Sequence, residues 1–190
     1  MLMAELKFKF DTHKTAQAVA FLLRHSGGKR SKGFLVKMLY AADRRQLRRV
    51  GAPITGDSAF SLPDGPILSK TLELLCGKVT NAFWSNHFSS APNGVNTLIR
   101  LKMDLPDDLL SENEKDSLAR ACDYFGNKTW EELKRWFHDP KNCGEWEDPG
   151  SSRKPIRVES IFKQIGKSDE FIEEIKSLQK ERELVSALFS

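Results

Sequence analysis

The segment between Ser31 and Gly51 constrains this chain most. Ser31 can cap a helix, and Gly51 with Pro53 ends it. Leu35, Met38, Leu39 and Ala42 follow the i, i+3, i+4, i+7 spacing of a core face. At about 100° per residue, Lys37, Arg44 and Arg48 stack on the opposite side. Asp43 breaks the pattern. It shares an i, i+4, i+8 row with Leu39 and Leu47 and so flanks the apolar stripe. A partly buried carboxylate needs a cation or several N–H donors, because leaving it unpaired is costly.

The rest of the chain must supply what covers this helix. Its 190 residues, 39% hydrophobic and 29% charged, suit one domain with a core of its own. The expected organisation is a single domain over residues 1–190, with 168–190 as a C-terminal helix. Mean hydropathy is −0.46. The long uncharged stretch, residues 79–99, carries Asn81, Asn86, His87, Pro92 and Asn93, which excludes a membrane span. The first ten residues lack the apolar core of a secretory signal. Cys76, Cys122 and Cys143 are an odd, widely spaced set, which predicts reduced thiols in a cytoplasm.

Charge is unevenly distributed. The net is +8 over residues 1–60, +2 over 61–103, −7 over 104–150 and +1 over 151–190, for a total of +4. The basic first third and the acidic third quarter could attract each other within the fold, or present two faces to a charged partner.

Around the central helix, Asp11 or Thr12 can cap a helix to about Ser26, ended by Gly27-Gly28. Residues 59–62 suit a short strand between two turn-rich stretches, and 67–75 a helix stopped by Gly77. Residues 83–88 and 95–103 are rich in aromatic and β-branched types. With Ala91-Pro92-Asn93-Gly94 between them they predict a β-hairpin. Ser111 with Glu114 forms a capping box for a helix to about Gly126, and Thr129 caps another. Residues 143–154 read as irregular and 156–165 as a short helix. Ser168 caps a final helix striped by Phe171, Ile175, Leu178, Val185 and Phe189. That stripe suits packing on its own domain better than oligomerisation. The expected fold is α+β, a mainly helical single domain with a small antiparallel β-sheet or hairpin.

No reactive constellation stands out. Gly27-Gly28-Lys29-Arg30-Ser31 has the wrong spacing and follows a helix, so it is no P-loop. His13, His25, His87 and His138 are scattered, and His138 with Cys143 supplies only two metal ligands. Asp43, Asp57, Asp64 and His138 could serve as general acids or bases, but turn formation and structural pairing explain them more simply. The basic face of Arg44, Arg45, Arg48 and Arg49, preceded by Lys29, Arg30, Lys32 and Lys37, could meet nucleic-acid phosphates. Only Phe34 and Tyr40 interleave with it, so a solvated face is the simpler reading.

Two stretches carry more information. One is Lys37-Met-Leu-Tyr40-Ala-Ala-Asp43-Arg44, then Pro53-Ile-Thr-Gly56-Asp57, then Gly65-Pro66-Ile67-Leu68-Ser69. The other begins at Leu110-Ser-Glu-Asn-Glu114 and runs through His138, Glu145-Trp146 and Pro149 to Glu159-Ser160-Ile161. In order and spacing they resemble the Panacea domain family, the SocA-like antitoxins also known as phage-associated proteins, from about residue 12 to 165. The chain departs from the family pattern at Ala59, Asp64 and Leu68, which bears on the shape of the turn.

The resemblance implies a binding protein rather than an enzyme, with no catalytic residue, cofactor or metal. Its partner would be a cognate protein toxin, neutralised by direct contact. Some members are similar to adaptors that hand the toxin to a AAA+ protease, and the family is linked to phage defence in bacteria. Position by position it singles out Lys37, Tyr40, Asp43, Gly56, Asp57, Gly65, Pro66, Ser69, His138 and Trp146 as residues of the fold or of toxin binding. Holding the fold is the simpler role for such residues. Either the acidic segment 104–148 or the basic second helix could face the toxin. Nucleic acid stays open as a partner, as for a transcriptional regulator of its own operon. A hydrolase or transferase is the third class. Membrane association and an oligomeric state are not implied.

Overall fold

The structure, a computed structural model, describes residues 5–91 and 97–188. Its centre is helix α2 (Lys32–Val50), which ends on Gly51 in the left-handed conformation. Around it pack α1 (Thr12–His25), α3 (Ser69–Leu75), α5 (Glu112–Phe125) and α8 (Val158–Gln164). Between these lie α4 (Ala82–His87), α6 (Trp130–His138) and α7 (Pro140–Cys143), and α9 (Asp169–Leu188) follows. The fold is α+β and mainly helical. The antiparallel component is two three-stranded sheets where one small sheet or hairpin was expected. In the first, β5 (Leu98–Leu101) lies between β1 (Lys29–Ser31) and β4 (Phe88–Ala91). In the second, β2 (Ala59–Leu62) lies between β3 (Gly65–Leu68) and β6 (Lys154–Ile156).

The capping signals place the helices well. Asp11 accepts from the Lys14 N–H at the start of α1, and Ser111 with Glu114 forms the expected capping box on α5. Thr129 and Glu132 make a second box on α6. Ser31 stands at the N-cap of α2 but makes no side-chain bond there. Ser168 Oγ accepts from Phe171 N at 3.2 Å as α9 begins.

Several expectations need correction. Residues 83–88 were expected as a strand, yet Ala82–His87 is helical, because the Asn81 side chain caps it by accepting from Trp84 N. The strand starts at Phe88, and pairs Phe88 with Leu101 through Ala91 with Leu98. The turn expected at 92–94 lies outside the described residues. Ile67 and Leu68 belong to β3, since pairing with β2 claims them before α3 starts. Likewise Ile156 ends β6 instead of opening a helix. Of the α9 stripe, Phe171 and Ile175 pack on the core, whereas Leu178 and Val185 are 43% and 54% exposed. Phe189 lies outside the described residues.

Lys37 is the largest correction. Helical periodicity puts it on the polar side of α2, yet it is 1% exposed. Neighbours cover α2 on nearly every side, so the amphipathic pattern marks its most apolar face and not its only buried one. Among the described residues no helix is long and apolar enough to cross a membrane.

The opposed charge blocks meet inside the fold. Lys14 reaches Glu114 at 2.7 Å, Arg24 reaches Asp104 at 3.1 Å, and Arg49 reaches Asp116 at 2.5 Å. Gln46, fully buried beside these pairs, donates to Ser117 Oγ and to the Asn113 carbonyl, tying α2 to α5. The exposed pairs contribute little individually, since water and salt screen them. Their placement explains why neither block stands free.

The N-terminal segment crosses the turn at Gly56. Asp11 N donates to Thr55 O at 3.0 Å, and a Cβ on Gly56, at φ +67°, would collide with the Lys9 carbonyl. Gly56→Ala is therefore expected to cost about 1–3 kcal/mol, read as a lowered urea midpoint with an unchanged m-value. An unchanged midpoint would show that the N-terminal segment yields freely.

Candidate functional site

The ten residues that the resemblance singles out all lie on α2 or in the turns, hairpin and helices packed beside it. The first group centres on Asp43. Its carboxylate is 4% exposed and accepts from Ile54 N at 2.8 Å, Thr55 N at 3.1 Å and the Thr55 hydroxyl. N–H and O–H donors satisfy it, and no cation among the described residues does. Burial pushes its carboxyl up to about 7, against the pull of the Thr55 and Ile54 hydrogen bonds. Thr55 Oγ also accepts from Asp57 N at 3.1 Å, so one hydroxyl links the two acids. Asp57 in turn accepts from Ser58 N, Lys70 N, Thr71 N and Thr71 Oγ. It thereby fixes the first turn of α3, and burial raises its carboxyl in spite of those donors. Ser69 joins through its backbone, donating to Ser58 O at 3.0 Å.

The second group surrounds Lys37. Its Nζ donates to Pro66 O at 3.2 Å and lies 5.2 Å from the Phe137 ring centroid and 5.9 Å from that of Trp130. A carbonyl and two aromatic faces are a weak replacement for water around an ammonium. Burial accordingly lowers Lys37 to about 7, with Asp64 pulling the other way. Gly65 must be glycine here. Its φ is +105°, and a Cβ would stand 2.9 Å from Lys37 Nζ and 3.2 Å from Phe137 Cβ. His138 stacks on Trp146 with ring centroids 4.1 Å apart and planes 10° from parallel. Trp146 Nε1 donates to Leu62 O at 3.0 Å, which pins the pair to the β2–β3 hairpin. Burial, then Lys134 and Lys37, lower the His138 imidazole.

Tyr40 joins the two groups through Glu145, a residue not singled out beforehand. Tyr40 Oη donates to Glu145 Oε1 at 2.7 Å, and Arg44 donates to both carboxylate oxygens at 2.6 and 3.3 Å. The Glu145 side chain is fully buried. Tyr40 and Arg44, one turn apart on a central helix, call for an acidic partner, but sequence could not choose it among the acids of 104–150. Thr55 and Thr71 were likewise missed, because hydroxyls buried against carboxylates carry no spacing signal.

The basic face is dispersed. Arg44 is consumed by Glu145, while Arg45 and Arg49 share Asp116. Arg48 is exposed.

A cavity of about 190 Å³ lies beside Tyr40, Asp43 and Asp57, under the N-terminal segment. His138 does not reach it, and small-molecule sites usually measure about 300–1,000 Å³. Among the described residues no group of three His, Cys, Asp or Glu side chains could hold a metal ion. The acids here accept hydrogen bonds from backbone, hydroxyl and guanidinium donors, so the site ties turns and helices together.

The fold and the site thus define a mainly helical α+β protein with a tethering polar core. The model of the SocA-like antitoxin family, Panacea domain, matches residues 35–147, more than half of the chain, and the chain belongs to that family. Searches of curated proteins and of solved structures return no match. The matched span contains both groups of site residues and Glu145. Membership of an antitoxin family implies a toxin partner in general terms.

Two outcomes follow from these tethers. Asp43→Ala strips three buried donors of their acceptor and is expected to cost about 2–4 kcal/mol, measured by urea unfolding. Asp43→Asn, which keeps an acceptor oxygen, should cost less; equal costs would shift the weight to the charge. For Lys37, the folded value lies below the ordinary one, so folding gains stability as pH rises above about 7. Lys37→Met removes that dependence. Relative to the wild type, its stability should improve by about 2 kcal/mol on going from about pH 9 to about pH 6. A pH-independent difference would show that the amine titrates alike folded and unfolded.

Proposed function

We propose that the chain is the antitoxin of a toxin–antitoxin pair and neutralises a cognate protein toxin by direct binding, without catalysis and without a cofactor. The observation that carries this reading is the family match over residues 35–147. The tethering role of the matched residues agrees with it. Tyr40, Asp43 and Lys37 are buried under the helices they join, so recognition falls to side chains on the outside of the same scaffold. A transcriptional regulator would need a continuous basic track for phosphates. The pairing of Arg44, Arg45 and Arg49 with acids of the same chain counts against one.

The test is co-expression of the chain with the product of the adjacent gene in a host whose growth that product arrests. Growth should recover, and the two proteins should co-elute in size-exclusion chromatography. Recovery with no complex, and with toxin levels falling only where a AAA+ protease is active, would replace inhibition with delivery for degradation. Failure to recover with the chain expressed would overturn the antitoxin reading.

A further inference from the structure

We propose that the groove between the C-terminal half of α2 and the exposed side of α5 is a docking site for an acidic segment of the partner protein that carries an aromatic side chain. The proposal rests on the antitoxin reading for the identity of that partner, the toxin. The groove holds about 540 Å³. Its floor is apolar, formed by Ala41, Ala121, Phe125, Trp136 and Ile165. Trp136 meets Phe125 and Tyr124 edge-on, with centroids 5.0 and 6.1 Å away. Tyr124 is 54% exposed, which is unusual for so large a ring, and it offers a flat face at the rim.

The rim is cationic beyond what the chain neutralises. Arg45 and Arg120, which line the groove, share the carboxylate of Asp116 at 3.4 and 3.1 Å with Arg49 beside it at 2.5 Å. Arg48 projects from α2 with no ion pair to any described residue. Lys128 adds a further cation 4.6 Å from the Tyr124 centroid. Against these stand Asp116 and one lining acid, Asp123. A partner carboxylate can take up the surplus guanidinium donors as a bidentate acceptor. An aromatic side chain can then pack over the apolar floor against the exposed ring of Tyr124. Arg, Tyr and Trp are the residue types that concentrate binding energy at protein interfaces. A nucleic-acid strand suits the groove less. A backbone of regularly spaced phosphates needs a continuous row of cations, and Arg44 is already committed to Glu145.

Two arms test this. In the first, a fluorescent peptide of sequence Glu-Asp-Trp-Glu-Leu-Asp is titrated onto the full chain. Controls carry Ser for Trp, or Lys for every acid, and a short single-stranded oligodeoxynucleotide serves as the nucleic-acid probe. The variants are Arg48→Glu with Arg120→Glu, and Tyr124→Ala, all at exposed positions, with melting temperatures checked against wild type. The parent peptide should bind best, and each variant should weaken it about tenfold. In the second arm the double charge variant is assayed against the adjacent gene product. It should associate about tenfold more slowly and fail to restore growth. Equal behaviour of wild type and double variant in both arms, including no peptide binding by either, overturns the groove. So does tighter binding of the oligonucleotide than of the peptide. A toxin complex that forms equally well with the double variant removes the groove and leaves the antitoxin reading standing. Variant-sensitive peptide binding without toxin neutralisation does the reverse.

Discussion

The buried carboxylate of Asp43 is the interaction on which the rest of the arrangement depends. It sits on a helix covered from nearly every side, so it cannot turn to water. Its cost is offset by the Ile54 and Thr55 donors, which exist only if the 54–57 turn folds back onto α2. Once that turn is in place, Thr55 Oγ orients Asp57, and Asp57 starts α3. The carboxylate therefore converts a loop, free to wander by composition, into a wall against which β2 and β3 can pair. Gly56 completes the wall by letting the N-terminal backbone approach.

Lys37 and Glu145 extend the same logic to the second half of the chain. Lys37 reaches β3 through Pro66 O, and Glu145 is gripped by Tyr40 and Arg44. Both bury charge, which is seldom the most stable solution available. What they supply is register. A hydrophobic contact would tolerate sliding of the α6–α7 region along α2, whereas a bidentate guanidinium and a phenol on one carboxylate do not. The stacked His138–Trp146 pair, fixed to Leu62 O, closes the third side.

Much of this was legible in the sequence, and the exceptions have common causes. Caps made by neighbouring residues, such as Asp11, Ser111 and Thr129, read correctly because their partners lie within one turn. The oddity of Asp43 read correctly because a charge inside an apolar row needs explaining. Residues 83–88 misled because aromatic content outweighed Asn81, a cap whose effect is local and whose helix is short. Lys37 misled because periodicity counts apolar faces and cannot see that β3 and α6 cover the polar one. Glu145 stayed hidden because its partners are about a hundred positions away, and sequence ranks no long-range pair of ions above another.

The charge division illustrates how little a segment total says about a surface. The blocks of +8 and −7 are compatible with attraction inside the fold or with two faces, and the structure pairs Lys14, Arg24, Arg44, Arg45 and Arg49 with acids of the second block. What remains is local: three guanidinium groups on one carboxylate, a fourth alone, and rings between the two helices. Such a residue of charge follows from packing a basic helix against an acidic one whose acids are fewer at the contact. A scaffold whose interior is held by buried polar ties can change those rim side chains without disturbing the ties. In such a scaffold affinity is adjusted on the outside while the register is kept within.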